Sequence, residues 1–591
     1  MRKFIYSILA AASLVGMTGW AVSCNKPDPT PEPEPDPTPT VKPDFDPNAT
    51  ISFTREPTFE FGGDGGSTSV VFTCTGYWEL EIPEDMDWVT SSALSGEGSS
   101  KRQSLTLTVA ANPSDESRKG KIVLNAGGDS KKITVKQEES VLILTEADVP
   151  DLDKIYIPNE FRNMDLFRSD ATWSFCRSRQ IEHFIVFWGK NYGSHGTPTP
   201  TEAKVARMRV DIDDLLEKAE EFYQLNINTL GFAEEAKSVV SKYKMIICLL
   251  YQNEWLATGS GYDNKIGALW VNPSTCQPVG STIGHEIGHS FQYMVYCDYL
   301  LNSGAADDSH GPGWRYGFGP DGEGGNAFWE QTAQWQSMQI EKYRGEAFAG
   351  WYGEYITSTH LHVLHERPRY ANYFIHWWWV ERNGKDISFI GKLWREAKFP
   401  EDPCETYMRI TGMDVDAFND DIWNYAAHMM TWDTDEIRSY GKSHIGQTAI
   451  TNITRVTENE ETWWRISAAK APESTGSNAI RIALPTEGQD IKVTFQGLRQ
   501  LSGCVTGNPS LAGWRYGFVA YDGTDTHYSD IWSAENEEVT YTVPEGTTRL
   551  WFVVTGAPKE YERHPWADES DDKDIKWPWQ VKFEGAKPHG K

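Results

Sequence analysis

Apolar residues recur every four positions at Ile283, Ile287 and Phe291, within a run that reads STIGHEIGHSFQYMVYCDYL from Ser281. This spacing predicts a helix with one apolar face for packing on a core. His285 and His289 sit about 200° around that helix from the apolar stripe, at about 100° per residue. Thr282 or Ser281 is expected to cap its N-terminus. Gly284 and Gly288 each weaken a helix by about 1 kcal/mol relative to alanine, so close packing or function is expected at both.

The first residues read Met1-Arg2-Lys3, then an apolar run from Phe4 to about Val15, then Ala21-Val22-Ser23-Cys24. That order predicts a secretory signal over residues 1–24 and not a spanning helix. Its last four residues resemble a bacterial lipobox, which implies lipidation of Cys24 and a surface-exposed outer-membrane lipoprotein. Residues 25–50 alternate proline with acids, and such a stretch is an extended tether that builds no core. No later stretch has 18 uncharged apolar residues, so a membrane contact is expected only through the lipid.

Period-two alternation dominates residues 51–139: Ser67 to Thr73, Tyr77 to Ile82, Leu105 to Val109 and Ile133 to Val135 read as strands between glycine turns. Gly65-Gly66, Trp78, Asp87-Trp88, Ala110-Ala111-Asn112-Pro113, Arg118-Lys119-Gly120 and the closing Ile133-Thr134-Val135-Lys136-Gln137 resemble the BACON domain, Bacteroidetes-associated and named for carbohydrate binding. The resemblance implies an Ig-like β-sandwich, and its name suggests glycan binding. Trp78 and Trp88 are expected in the core instead, the commoner place for Trp in small sandwiches, so a spacer role is favoured.

Residues 140–440 mix both periods. His183 to Trp188, Tyr243 to Tyr251 and Ile266 to Val271 read as strands; Thr201 to Leu225 and Ala327 to Tyr343 read as helices. Ser303 to Gly325 is a long Gly/Asp/Ser-rich loop. Strand signals return over 441–591, at Ala479 to Ala483, Ile491 to Phe495, Gly517 to Tyr521, Val539 to Val543 and Leu550 to Val554, and suggest a jelly-roll-like β-sandwich. The expected architecture is therefore multi-domain: an Ig-like sandwich, a central α+β domain and a C-terminal accessory sandwich. In the last, Trp514, Tyr516, Trp532, Trp577 and Trp579 are either sugar-stacking platforms or, the favoured reading, core and docking residues.

The chemistry lies in His285-Glu286-Ile287-Gly288-His289, an H-E-x-x-H pattern. Two imidazoles one turn apart bind one Zn²⁺, and Glu286 stands beside the open position as general base. A third ligand is needed. Gln292 and Val295 occupy the places of glycine and histidine in the longer H-E-x-x-H-x-x-G-x-x-H pattern, which is thereby excluded. Glu330, one carboxylate in an otherwise apolar helix after the long loop, is the expected third ligand, since an acid there is costly unless paired or bound to a cation. Asp298, Asp307, Asp308, His310 and Glu323 compete for that place.

Trp329, Glu330, Thr332, Ala333 and Trp335, with the strand Glu182 to Val186 and Trp188, resemble the gluzincin peptidases, distantly the enhancin-like, mucin-targeting ones. That resemblance implies a zincin-like catalytic domain, zinc as cofactor and a protein or glycoprotein substrate. Water attacks the peptide carbonyl, Glu286 carries the proton to the leaving amine, and a neutral donor faces the oxyanion. His365, Tyr370 and Tyr373 are the candidate donors. The strand Ile266 to Val271 is expected to pair with extended substrate, as in related peptidases. The alternative is a non-catalytic glycan- or glycoprotein-binding surface protein with a degenerate peptidase domain.

Composition narrows the partners. The 591 residues carry a net charge of −29, which argues against nucleic acid because its phosphates would be repelled. The eight cysteines form no C-x-x-C pair, so buried thiols are expected, with one disulfide possible. The protein is expected to be a monomer.

Overall fold

The computed structural model describes residues 43–114, 116–200, 203, 205–306, 310–315, 327–447, 451–485, 490–566, 570 and 573–591. The signal, Cys24 and most of the tether lie outside these residues, as do Asp307, Asp308 and Glu323. Among the described residues, no helix is long and apolar enough to cross a membrane, and every cysteine is a free thiol.

The N-terminal strands are β1 (Ile51–Phe53), β2 (Thr58–Phe61), β3 (Gly66–Cys74), β4 (Trp78–Glu81), β5 (Val89–Ser91), β6 (Ser95–Gly96), β7 (Ser99–Val109), β8 (Arg118–Asn125) and β9 (Ser130–Gln137). They form sheets ordered β1-β3-β7-β5 and β2-β9-β8-β4-β6. Alternate residues point inward, and Trp78 and Trp88 are buried among them.

The central sheet is ordered β10-β11-β12-β14-β13, from β10 (Ser178–Gln180), β11 (Phe184–Trp188), β12 (Met245–Leu249), β13 (Ala257–Tyr262) and β14 (Ile266–Val271). Strands β11, β12 and β14 are parallel; β10 and β13 are antiparallel edges. FIVFW and MIICL are apolar throughout because both faces are covered. Phe184, Val186 and Trp188 face the helices, while Ile185 and Phe187 face Phe161, Trp173 and Phe175 on the other side.

Helices supply the remaining mass: α1 (Ile212–Asn228), α2 (Ser281–Ser303), α3 (Ala327–Ser337), α4 (Glu341–Ser358), α5 (Phe374–Arg382), α6 (Phe389–Glu396), α7 (Pro403–Thr411), α8 (Val415–His428) and α9 (Asp435–Gly441). The expected helix from Thr201 begins instead at Ile212, where the Asp211 side chain accepts from the Asp214 amide. The stretch expected as one helix from Ala327 to Tyr343 breaks after Ser337. Helix α5 is apolar on every side, with Trp377, Trp378 and Trp379 all buried, as a helix inside a core must be.

The C-terminal strands are β15 (Ile453–Glu458), β16 (Glu461–Ile466), β17 (Ser477–Ala483), β18 (Asp490–Gly497), β19 (Trp514–Tyr521), β20 (Thr526–Tyr528), β21 (Asn536–Thr542), β22 (Arg549–Gly556), β23 (Trp579–Glu584) and β24 (Lys587–Pro588). They make two sheets, β15-β16-β23-β18-β21 and β20-β19-β22-β17-β24, with one apolar core between them. The second sheet is buried on both faces. Phe552 and Val554 of β22 point into the sandwich, while Trp551 and Val553 join the helical core, where Trp423 of α8 donates to the Val553 carbonyl (3.2 Å). Trp514, Tyr516, Trp577 and Trp579 are buried, so these rings are core and not sugar platforms; Trp532 is half-buried.

Candidate metal centre

Helix α2 lies on the central sheet and is fixed there by Ser290, whose hydroxyl donates to the Ala268 carbonyl of β14 (3.0 Å). Ile283, Ile287 and Phe291 are fully buried, as their spacing predicts. The helix starts at Ser281 behind Gly280, without the side-chain cap expected of Thr282 or Ser281. Both helical glycines are packing positions. A methyl at Gly284 would stand 2.3 Å from the Phe222 ring of α1, and one at Gly288 would stand 2.8 Å from Gln336 of α3. The lost helix propensity therefore admits two neighbouring helices at close range.

That approach of α3 brings Glu330 to the histidine pair. Its Oε2 lies 3.0 Å from His285 Nε2 and 3.2 Å from His289 Nε2. Trp329 stacks on the His289 ring (4.5 Å between centroids). Behind α3, Thr332 Oγ1 is bonded to Trp394 Nε1 and His376 Nε2, which fixes the helix against rotation. Tetrahedral ligands about 2.1 Å from one ion stand about 3.4 Å apart, so the three ligand atoms fit a common dication.

The protonation of His289 makes the same point. Asn226 Nδ2 donates to the Phe222 carbonyl, which can only accept (2.9 Å). Asn226 Oδ1 therefore accepts from Gln336 Nε2 (2.6 Å), and Gln336 Oε1 accepts from Gln292 Nε2 (3.0 Å). Gln292 Oε1 is left to accept from His289 Nδ1 (3.1 Å). The relay places a proton on His289 Nδ1, so the neutral ring presents a bare Nε2, as a metal ligand requires. A bare Nε2 against the Glu330 carboxylate is repulsive unless a positive charge lies between them.

Electrostatics follow from this crowding. Protons on the two imidazoles would supply that same charge: burial opposes ionisation of Glu330, but imidazolium charge and N–H bonds from His285 and His289 outweigh it and hold the carboxyl well below the usual range. Burial likewise disfavours the His285 cation; the bond to Glu330 and the charges of Glu286 and Glu330 prevail and raise its pKa.

The three ligands and Glu286 open on a cavity of ≈ 840 Å³. One wall is the edge strand β13, from Ala257 to Ser260, preceded by Trp255; Trp351 and Tyr370 form the other, with Gln334 of α3 between. Gly259 lets β13 run against α2, since a Cβ there would stand 2.0 Å from the Glu286 carbonyl oxygen. The Tyr370 ring lies 6.1 Å from that of His285; burial and the Glu330 charge push its phenol up to about 12, so it stays a neutral donor.

Three expectations are corrected. His365 is outside this cavity, fully buried and 3.4 Å from Asp574. Tyr373 is buried in the helical core, stacked on Phe374 (4.5 Å) and edge-on to Trp377. Of the three candidate donors, Tyr370 alone lines the cavity. The strand bordering it is β13 and not β14, which lies between β12 and β13. Asp298 accepts from Ser238 and the Val239 amide, and His310 stacks on Phe399, so neither reaches the histidines.

The architecture is thus a β-sandwich, then a mixed α/β domain with a His/His/Glu centre, then a second sandwich sharing the core of that α/β domain. The chain belongs to the family described as "Family of unknown function (DUF6055)", which matches residues 147–590, and carries a BACON domain, described as "Putative binding domain, N-terminal", at residues 77–138. No curated protein matches the chain. Among solved structures, a Bacteroides ovatus GH5 xyloglucanase in complex with a heptasaccharide is similar at 11% identity, over 42% of this chain and 63% of that one, with a TM-score of 0.16. A protein from Bacteroides thetaiotaomicron, solved by NMR, is similar at 14% identity over 17% of this chain and 94% of that one, with a TM-score of 0.11. The chain thus spans less than two thirds of the xyloglucanase, and at such TM-scores neither likeness carries an argument about fold or activity.

Proposed function

We propose that the chain is a surface-anchored zinc peptidase of gluzincin-like architecture, acting on proteins or glycoproteins. The observation that carries this reading is the convergence of His285, His289 and Glu330 on one point, beside Glu286, in an open cavity. Zinc at that point would supply a Lewis acid that polarises a carbonyl and acidifies water. Glu286 then takes the proton of the attacking water and delivers it to the leaving amine. Tyr370 offers its phenol O–H to the developing oxyanion.

Among the described residues, edge strand β13 pairs with β14 on one side only. Its outward N–H and C=O groups are available to an extended peptide, which would run antiparallel or parallel along the cavity rim. Trp255, 68% exposed at the end of that strand, offers a flat apolar face to an aromatic side chain or a sugar ring. The intact donor set and base favour an enzyme over a degenerate binding domain.

Glu286→Gln tests the reading. The variant is expected to retain zinc and lose cleavage of casein or mucin by at least about 100-fold. Cleavage at the parental rate would remove Glu286 from the reaction, and a folded parent that holds no zinc at its histidine pair would remove the metal.

A further inference from the structure

Four side chains outside α2 and α3 form a second polar cluster. His365 belongs to the segment joining α4 to α5. Glu473 belongs to the segment joining β16 to β17, and His564 and Asp574 to the segment joining β22 to β23. One ligand atom from each lies within 4.8 Å of all the others. All four are buried, Glu473 to 2%, Asp574 to 5% and His564 to 7% exposure.

Such burial demands partners, yet Glu473 Oε1, His564 Nε2 and Asp574 Oδ2 make no hydrogen bond. Leaving three such atoms dry and unpaired is strongly unfavourable. The spacing between them shows what satisfies them. Asp574 Oδ1 stands 3.6 Å from His564 Nε2, too distant for strong direct pairing, while its Oδ2 stands 3.4 Å from His365 Nε2. The first is close to the separation of ligands that share an ion about 2.1 Å away. The other Glu473 oxygen is committed, accepting from the His362 amide (2.8 Å), so Oε1 is aimed inward by the backbone.

We propose that Glu473, His564 and Asp574 hold a divalent cation of the zinc class, with His365 behind them as a positioning residue. His564 Nδ1 donates to the Pro565 carbonyl (2.8 Å), so its Nε2 can ligate. His365 Nδ1 instead accepts from the Arg367 amide (3.0 Å), which leaves the ring proton on Nε2, facing Asp574 Oδ2. One imidazole nitrogen and two carboxylate oxygens are donors that zinc accepts, and the two carboxylates balance a dication. Calcium would need six to eight oxygens, which this set lacks. The three ligands line a pocket of ≈ 200 Å³, so the fourth position faces a small cavity. The ion joins two segments of the C-terminal sandwich, and His365 ties the turn after α4 to them through Asp574. Tyr370, five residues beyond His365, is carried by that turn, so this site holds one wall of the catalytic cavity in place.

The test is zinc content, by inductively coupled plasma mass spectrometry, of the full-length protein after zinc loading and gel filtration. The parent is expected to hold two equivalents. A folded His285→Ala/His289→Ala double variant is expected to keep one, and Asp574→Asn to keep one. Chelator is expected to lower the melting temperature of the double variant but not, beyond the effect of the first site, that of Asp574→Asn. A folded double variant without zinc would overturn the proposal, and it decides the matter alone if Asp574→Asn does not fold. So would an equivalent that survives in the double variant and also when Asp574→Asn is added to it. Failure of the peptidase reading gives a different pattern: one equivalent in the parent, lost in Asp574→Asn and unaffected by the double substitution.

Discussion

Replacing Gln292 by methionine tests the relay that orients His289. Gln292 is 1% exposed and bonds His289 Nδ1 at 3.1 Å on one side and Gln336 at 3.0 Å on the other. Methionine fills the same space and makes neither bond. The His289 N–H and the Gln336 oxygen are then both buried and unpaired, at about 1–3 kcal/mol each, so the folded state loses about 2–6 kcal/mol. Metal binding loses its orienting partner, and its affinity is expected to fall about 10- to 100-fold. Competition with a chromogenic chelator gives the zinc Kd, and circular dichroism confirms that the variant is folded. Gln292→Glu is the paired control: it restores an acceptor to Nδ1, and affinity is expected to recover most of the loss. A folded Gln292→Met protein whose zinc Kd lies within about twofold of the parent's would refute the orienting role of the relay.

Tyr370→Phe is expected to lower kcat by about 100-fold with zinc content unchanged, whereas Tyr373→Phe, in the helical core, is expected to leave kcat intact; equal activity of Tyr370→Phe and parent on a peptide substrate would remove the phenol from the oxyanion site. Gly259→Ala sets a methyl 2.0 Å from the Glu286 carbonyl; β13 must withdraw, with a stability loss of about 1–3 kcal/mol in a urea melt and at least a tenfold fall in kcat/KM, and unchanged kinetics would show that the strand does not shape the cavity. Asp402 is 1% exposed and its carboxyl is pushed up to about 6, because burial opposes ionisation more than its bonds from Tyr561 and the Glu405 amide favour it. The unfolded chain ionises first, so this contribution is whole below about pH 4 and is lost as pH rises through about 6, by about 3 kcal/mol. Asn at position 402 still caps α7, and its urea midpoint is expected to lack that slope between pH 4 and 7; an identical slope in both proteins would locate the effect elsewhere.

The ligand helix was legible because three constraints coincide in one stretch. A four-residue apolar repeat, two histidines on the opposite face and two glycines without a helix-forming purpose leave few alternatives. Glu330 was legible for a different reason: a lone acid among Phe328, Trp329, Ala333 and Trp335 has no inexpensive place in a core. The edge strand was not legible, since ATGSGY lacks apolar alternation and has Thr258 as its one β-branched residue. Its glycines answer to the α2 backbone and Tyr293, which local sequence does not reveal. The one local signal was the turn that follows, where Asp263 and Asn264 both take positive φ (54° each) and close a hairpin onto β14. Tyr370 and Tyr373 are alike in sequence terms, and only the start of α5 decides which ring enters the core. The Trp-rich C-terminal strands left sugar platforms open beside the favoured core reading, because β19 and β22 are largely apolar on both faces and only the presence of α8 explains the second face.

His365 illustrates a further limit. A histidine shortly after the H-E-x-x-H and Glu330 helices invites a catalytic role, yet its partners Glu473, His564 and Asp574 come from 108 to 209 positions later in the chain, a separation at which spacing carries no information. The two clusters nevertheless obey one rule: what the far ring nitrogen bonds decides which nitrogen can meet an ion. Gln292 accepts from His289 Nδ1 and the Pro565 carbonyl accepts from His564 Nδ1, so both rings present Nε2, whereas the Arg367 amide donates to His365 Nδ1 and leaves that ring's proton on Nε2. The cavities differ in size, ≈ 840 Å³ at His285, His289 and Glu330 against ≈ 200 Å³ at the second cluster, so only the first has room for an extended peptide. The second site would therefore serve the first, by fixing the turn from which Tyr370 reaches the cavity.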